Sequence, residues 1–156
     1  MAQDVDVGFV IRVRTVEPDD MEEWLRMRLA LWPQGEPSEH RMEMAQLASQ
    51  PDATVLVAVR GDTGRLAGFA EVGVRPYADG CETSPVAYLE GWYVDADLRR
   101  RGVGRALVRV AEEWARGQGL REFASDALLD NVASHRAHEG LGFTEVERAV
   151  RYRKSL

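Results

Sequence analysis

Residues 86–94, "VAYLEGWYV", run into "RRRGVG" (99–104) and then into a stretch with Val103, Leu107, Val110, Ala111 and Trp114 on one helical face. The first run, rich in β-branched and aromatic residues, reads as a strand; the second has the three- and four-residue spacing of an amphipathic helix. A strand that turns directly into such a helix must have the helix pack back on the sheet, which confines the chain to layered α/β folds. "GQG" (117–119) closes the helix. The turn itself is unusual, because arginines at a helix start oppose the macrodipole. Two readings stand for Arg99, Arg100, Arg101 and Arg105: a solvated basic surface, or a site for an anion. In the second, Gly102, Val103 and Gly104 open a helix whose free N–H groups face the anion, and the glycines admit it closely. The pattern is neither the dinucleotide fingerprint nor a P-loop.

The other elements follow from periodicity and turn chemistry. "FVIRVRTV" (9–16) predicts a first strand. Asp19 or Asp20 is expected to cap a helix from Met21 that carries Trp24, Leu25, Met27, Arg28 and Leu31. A Pro/Gly loop over 32–40 leads to a helix from Ser38 and Glu39 to about Ala48. Residues 54–60 and 65–74 predict a hairpin across "GDTG". After the strand at 86–94 and the long helix come a short strand at 121–126, a small helix within 131–143 and a last strand over 144–154. The expected fold is a single mixed α/β domain with a structured core over about 10–154. Trp24 and Trp114 are expected to be core.

Composition narrows the function. A chain of 156 residues can bury a core without staples. Its one cysteine, Cys81, excludes an internal disulfide and a cysteine-built zinc site, and no metal is expected. "MAQDVDVGFV" lacks the basic and apolar regions of a secretory signal, and no apolar run reaches a membrane-spanning length. The cytoplasm is the expected compartment. A net charge of −6 argues against a nucleic-acid binder and suits a cationic small molecule.

The R-x-x-G-x-G turn resembles the pyrophosphate-binding signature of GNAT-type N-acetyltransferases, and "NVASHRAHEGLGF" (131–143) resembles their second coenzyme A signature. The resemblance implies the GNAT acyl-CoA N-acyltransferase fold, a central antiparallel and parallel sheet flanked by helices. It also implies acetyl-CoA as co-substrate, held by the turn, by Asn131 and His138, and by main-chain groups of Trp92, Tyr93 and Val94. Gly91, inside its strand, is an independent bulge signal. "LRMRLALWP", "GCETSPVAYLEG", "EFASDALLDN" and "LGFTEVERAVRYRK" further resemble aminoglycoside 6′-N-acetyltransferases that form homodimers. That resemblance implies that Trp32, Tyr77, Glu90, Asp126 and Glu147 contact a polycationic antibiotic. It leaves Glu90 as the expected base and Asp126 as the runner-up. Read as residues alone, Trp32 is equally a core aromatic, Asp126 a turn cap, Glu147 a solvated strand residue and His138 a helix-face residue. His138 stands where many of the superfamily have a tyrosine. No acyl-enzyme nucleophile is expected, so transfer is direct. Acetylation of another amine, and a non-catalytic acetyl-CoA-binding module, are the competing readings.

Overall fold

The computed structural model describes residues 3–6 and 10–156. Among them, six strands form one sheet in sequence order: β1 (Gln3–Asp6), β2 (Val10–Thr15), β3 (Ala53–Arg60), β4 (Leu66–Arg75), β5 (Val86–Val94) and β6 (Phe123–Ser125). Neighbours from β1 to β5 are antiparallel, whereas β6 runs parallel to β5. Four helices complete the domain: α1 (Met21–Leu31), α2 (Pro37–Ser49), α3 (Val103–Gly117) and α4 (Val132–Gly140).

The sheet is buried on both sides. Leu56 and Ala58 of β3 join Ile11, Val13, Ala70, Val72 and Leu89 beneath α3. Val55, Val57 and Val59 face the other way, against Trp24, Leu25, Met27 and Met44 of α1 and α2. This explains why β3 is an unbroken apolar run rather than an alternating one. Trp24 is fully buried and Trp114 packs at the edge of the α3 core, as expected of both.

Several expectations are corrected. β1, with two aspartates in four residues, has no apolar pattern to announce it, yet it pairs with β2 from Gln3↔Val13 to Asp6↔Val10. The first predicted strand is found as β2, while its predicted opening residue, Phe9, lies outside the described residues. Asp20 does not cap α1 with its side chain. It accepts instead from the Glu17 N–H at 2.7 Å and from Arg14 at 2.6 and 3.0 Å. α2 opens one residue earlier than Ser38, with Pro37 in its first turn and reciprocal bonds between Glu36 and Glu39.

The predicted last strand is absent. Residues 144–156 have no regular structure, and Val146, Val150 and Tyr152 are 62%, 70% and 93% exposed. An extended segment becomes a strand only where a neighbouring edge takes its main-chain bonds, and among the described residues none does. The structured core therefore ends near Phe143 rather than 154.

Candidate active site

β5 leaves its neighbours twice, and both departures create room. On the β4 side the register passes from Glu71↔Gly91 to Val72↔Leu89, so Glu90 has no residue opposite it. This is the bulge that Gly91 signals. Gly91 must lack a side chain because a Cβ there would meet Cη2 of Trp32 at 2.5 Å. On the β6 side the parallel ladder spans only Ala87↔Phe123 to Leu89↔Ser125, while β5 continues to Val94. The two strands fork after Leu89 and Ser125.

β5 then delivers the chain to the arginine turn. Arg100 has φ 58° and Gly102 has φ 85°, two left-handed residues that swing the chain round into α3. Gly102 is the N-cap and has no side chain to offer, and the first turn holds no acid. The free N–H groups of the opening turn are thus left to an outside acceptor. Arg99, Arg100, Arg101 and Arg105 are all exposed around it, and Val103 is buried beneath. Arg99 Nε donates to the Val94 carbonyl at 3.0 Å and Arg105 to the Gly140 carbonyl at 2.9 Å, tying the turn to β5 and to the end of α4. A diphosphate fits this donor set in both charge and hydrogen bonding.

Gly104 also meets a packing demand: a Cβ there would lie 2.7 Å from Cζ2 of Trp92. The Trp92 Nε1–H is buried without a hydrogen-bond partner among the described residues. Tyr93 stacks on Phe69 at 6.2 Å, with the Arg99 guanidinium 5.8 Å from its ring. Asn131 caps α4, its side chain accepting from the Ser134 N–H at 3.1 Å.

The five expected antibiotic contacts divide into groups. Glu90 is exposed on the bulge, with both oxygens held by Arg75 at 2.9 and 2.6 Å. The Arg75 guanidinium in turn lies 3.4 Å from the Tyr88 ring. The Tyr88 hydroxyl donates to Asp126 at 2.6 Å, and burial together with that bond pushes the phenol up. Tyr77, Asp126 and Glu147 line one cavity of about 810 Å³ with Tyr88, Ser125 and His138. Glu90 lines a smaller hollow of about 180 Å³ with Arg28, Glu43 and Glu71. Trp32 stands at the end of α1, its indole over Gly91 and stacked on His40 at 6.3 Å. Trp32 is thus half-buried, joining the core on one side and the bulge on the other.

Two constellations were not anticipated. Beneath the bulge, Glu71 Oε1 accepts from Trp24 Nε1 at 2.8 Å and from Arg28 at 2.9 Å. Arg28 also donates to Glu43 and to Nδ1 of His40, the latter at 3.1 Å, which leaves the His40 Nε2–H for the Trp32 carbonyl at 3.3 Å. Burial pushes the Glu71 carboxyl up, with Arg28 and Trp24 acting against it. A buried Glu and Arg in separate elements carry no sequence pattern, although Arg28 on the apolar face of α1 was a visible anomaly. At the fork, Ser125 Oγ lies 2.8 Å from Nε2 of His138. Nothing in the sequence joins these two residues before β6 and α4 are placed.

The chain is similar to known proteins over most of its length. Residues 19–143 match the acetyltransferase (GNAT) family. The chain is 52% identical over 147 residues to an aminoglycoside N(6′)-acetyltransferase type 1 from Klebsiella aerogenes, covering 92% of this chain and 96% of the relative. A protein of the same description from Serratia marcescens is 47% identical over 139 residues, covering 88% and 94%. Among solved structures, an aminoglycoside antibiotic 6′-N-acetyltransferase from Acinetobacter baumannii superposes with a TM-score of 0.88 at 39% identity, covering 94% of this chain and 99% of that one. An aminoglycoside N-acetyltransferase in complex with CoA superposes with a TM-score of 0.90 at 33% identity, covering 97% and 99%.

Proposed function

The chain belongs to the acetyltransferase (GNAT) family, in its aminoglycoside 6′-N-acetyltransferase group, and we propose that it transfers acetyl from acetyl-CoA directly to the 6′-amine of an aminoglycoside antibiotic, so conferring resistance. The observation that carries this reading is the continuous path from the β5–β6 fork, along the free edge of β5, to the uncapped start of α3. The arginine turn takes the pyrophosphate, and main-chain groups of Trp92, Tyr93 and Val94 on the open β6 side of β5 take the amides of the pantetheine arm. One of those N–H groups, at the fork, stabilises the oxyanion that forms when the thioester carbonyl is attacked.

Glu90, Asp126 and Glu147, with Trp32 and Tyr77, receive the cationic rings of the acceptor. An ammonium has no lone pair, so one proton leaves before attack. Glu90 takes it, directly or through a water, once the incoming ammonium displaces Arg75; Asp126 is the second candidate. The greater service of either carboxylate is orientation of the amine. The enzyme works in the cytoplasm as a homodimer. Support for the dimer is the exposed apolar row Val146, Val150 and Tyr152 on a segment that also lines the large cavity. Sedimentation of the intact protein is expected to give twice the chain mass, and a monomer at micromolar concentration overturns that part.

Thiol release from acetyl-CoA, tested with kanamycin A, spermidine and a peptide amine, tests the main reading. Release with kanamycin alone, and a product acetylated at the 6′-nitrogen by NMR, is the expected result. Paromomycin, which has a 6′-hydroxyl, should not be N-acetylated there. Release with spermidine or peptide instead makes the protein an acetyltransferase of another amine. Coenzyme binding without release makes it a non-catalytic acetyl-CoA module.

A further inference from the structure

Ser125 is the last residue of β6 and pairs with Leu89, so its hydroxyl stands at the point where the two strands part. Its Oγ lies 2.8 Å from Nε2 of His138 and 3.4 Å from the carbonyl of Leu89, and the shorter contact claims the hydroxyl hydrogen. The other ring nitrogen settles the direction. His138 Nδ1 lies 2.7 Å from the carbonyl of Ser134, a group that can only accept, and 3.3 Å from the Ser134 hydroxyl, and the shorter contact assigns the hydrogen to Nδ1. In the neutral imidazole Nε2 then holds the lone pair, and Ser125 donates to it. The ring is fixed edge-on against Trp92 at 5.7 Å and Phe143 at 5.3 Å. Ser125 and His138 both line the large cavity beside Asp126. A hydroxyl aimed at a lone pair, with the imidazole held from behind, is an arrangement built to pass a proton.

In that tautomer Nε2 has no hydrogen of its own to give a departing thiolate, so a proton must first reach it. Resting on the acetyl-transfer reading above, we propose that Ser125 and His138 form a relay that carries a proton from the acceptor nitrogen to the sulfur of coenzyme A. After the amine attacks, the tetrahedral adduct holds a positively charged nitrogen with a proton to lose. Ser125 Oγ takes that proton while its own hydrogen passes to Nε2 of His138. The adduct collapses, the C–S bond breaks and its electron pair stays on sulfur. His138 then returns a proton to Ser125, and Ser125 gives one to the sulfur. The imidazole is neutral before and after, the amide has lost one N–H, and the thiol has gained one S–H. The first proton, taken from the ammonium before attack, leaves separately through Glu90. Ser125 is the catalytic residue of the relay; His138 acts through it.

The experiment uses the full-length enzyme with acetyl-CoA and kanamycin A. Ser125→Ala is expected to lower kcat on the order of 10²-fold, within the usual range for assisted proton transfer, with both KM values within about twofold of wild type. Ser125→Thr, which keeps the hydroxyl, should restore most of kcat. His138→Gln should reproduce the loss. The double variant should be no slower than the worse single one, since the pair works as a unit. In mixtures of light and heavy water, the wild type should show a curved proton inventory that becomes linear in Ser125→Ala. Wild-type kcat in Ser125→Ala, or multiplying losses in the double variant, overturns the relay. Because His138 packs on Trp92 and Phe143, an unfolded His138→Gln leaves the decision to Ser125→Ala and Ser125→Thr. A wild type that releases no thiol with any aminoglycoside fails the functional reading instead, which separates the two.

Discussion

Arg28 reaches three acceptors at once, in Glu71, Glu43 and His40, while being only 4% exposed. Its guanidinium also lies 4.9 Å from the ring of Trp32, so one buried cation supports both the floor of the bulge and the aromatic wall above it. Removing one partner of a buried pair is costly because the other charge is left desolvated. Arg28→Ala is therefore expected to destabilise the protein by about 3–5 kcal/mol in urea unfolding. Glu71→Gln keeps an oxygen for Trp24 and Arg28 and should cost less, roughly 1–3 kcal/mol. The two variants should also differ in kinetics. Arg28→Ala frees His40 and lets Trp32 tilt, raising KM for the antibiotic while leaving the affinity for acetyl-CoA unchanged. Equal stability losses in the two variants would show that the charge on Glu71, not the cation, is the supporting element.

Two element starts are set by charge, in opposite ways. Ahead of α1, Asp20 is buried against Arg14 of β2, and this joins the helix entry to the sheet. Burial pushes its carboxyl up, but the Arg14 guanidinium and the Glu17 N–H outweigh burial and hold it below 3.8. A carboxyl depressed by folding stabilises above its unfolded value and loses that contribution as pH falls through its folded value. Asp20→Asn should thus cost about 1.5–3 kcal/mol at neutral pH, and the gap from wild type should close in acid. Melting curves at both pH values check this; a constant gap removes the ionic cause. At α3 the opening turn is the site proposed for the coenzyme's pyrophosphate. Gly102→Asp puts a carboxylate there and a side chain at φ 85°, and should weaken acetyl-CoA by more than tenfold without changing antibiotic affinity. Calorimetry decides, and unchanged coenzyme affinity removes the pyrophosphate assignment. These elements also show what the sequence could disclose. α3 was legible because Val103, Leu107, Val110 and Ala111 all face one core, and β3 because both its sides are buried. β1 was hidden by its aspartates. The segment after Phe143 alternates correctly for a strand, but alternation specifies a pleat and not a partner edge. The arginine turn and the bulge were readable because glycine and charge mark them locally. The Ser125–His138 contact depends on where the fork falls, which no local pattern encodes.

Across the whole molecule, 26 acidic side chains outnumber 20 basic ones, yet four of the basic ones, Arg99, Arg100, Arg101 and Arg105, cluster at the α3 turn. The chain thus offers an acidic surface to a polycation and keeps a separate basic spot for a polyanion. The acidic groups at the cleft are not equivalent. Asp126 has one oxygen engaged by Tyr88, Glu147 is exposed, and Glu90 is paired with Arg75, which a substrate ammonium would have to displace under the proposed reading. A charge-assisted hydrogen bond to the antibiotic is worth roughly 1.5–3 kcal/mol where water is partly excluded, and less at an exposed group. Asp126→Asn should accordingly raise antibiotic KM by about ten- to a hundredfold, and Glu147→Gln by about tenfold or less, with kcat little changed in either. Glu90→Gln should lower kcat by about 10²-fold or more, because it removes the first proton acceptor as well as a binding charge. Salt separates the electrostatic share from contact. The Debye length falls from about 30 Å at 0.01 M to about 8 Å at 0.15 M, so long-range attraction between the acidic chain and the polycation fades over that interval. Wild-type kcat/KM for the antibiotic should fall across it, and Asp126→Asn should fall less steeply because one attracting charge is already gone. Steady-state kinetics at the two ionic strengths measure both slopes. Full kcat in Glu90→Gln assigns the first deprotonation elsewhere, and parallel salt slopes in wild type and Asp126→Asn mean that the carboxylate acts by shape and hydrogen bonding rather than by charge.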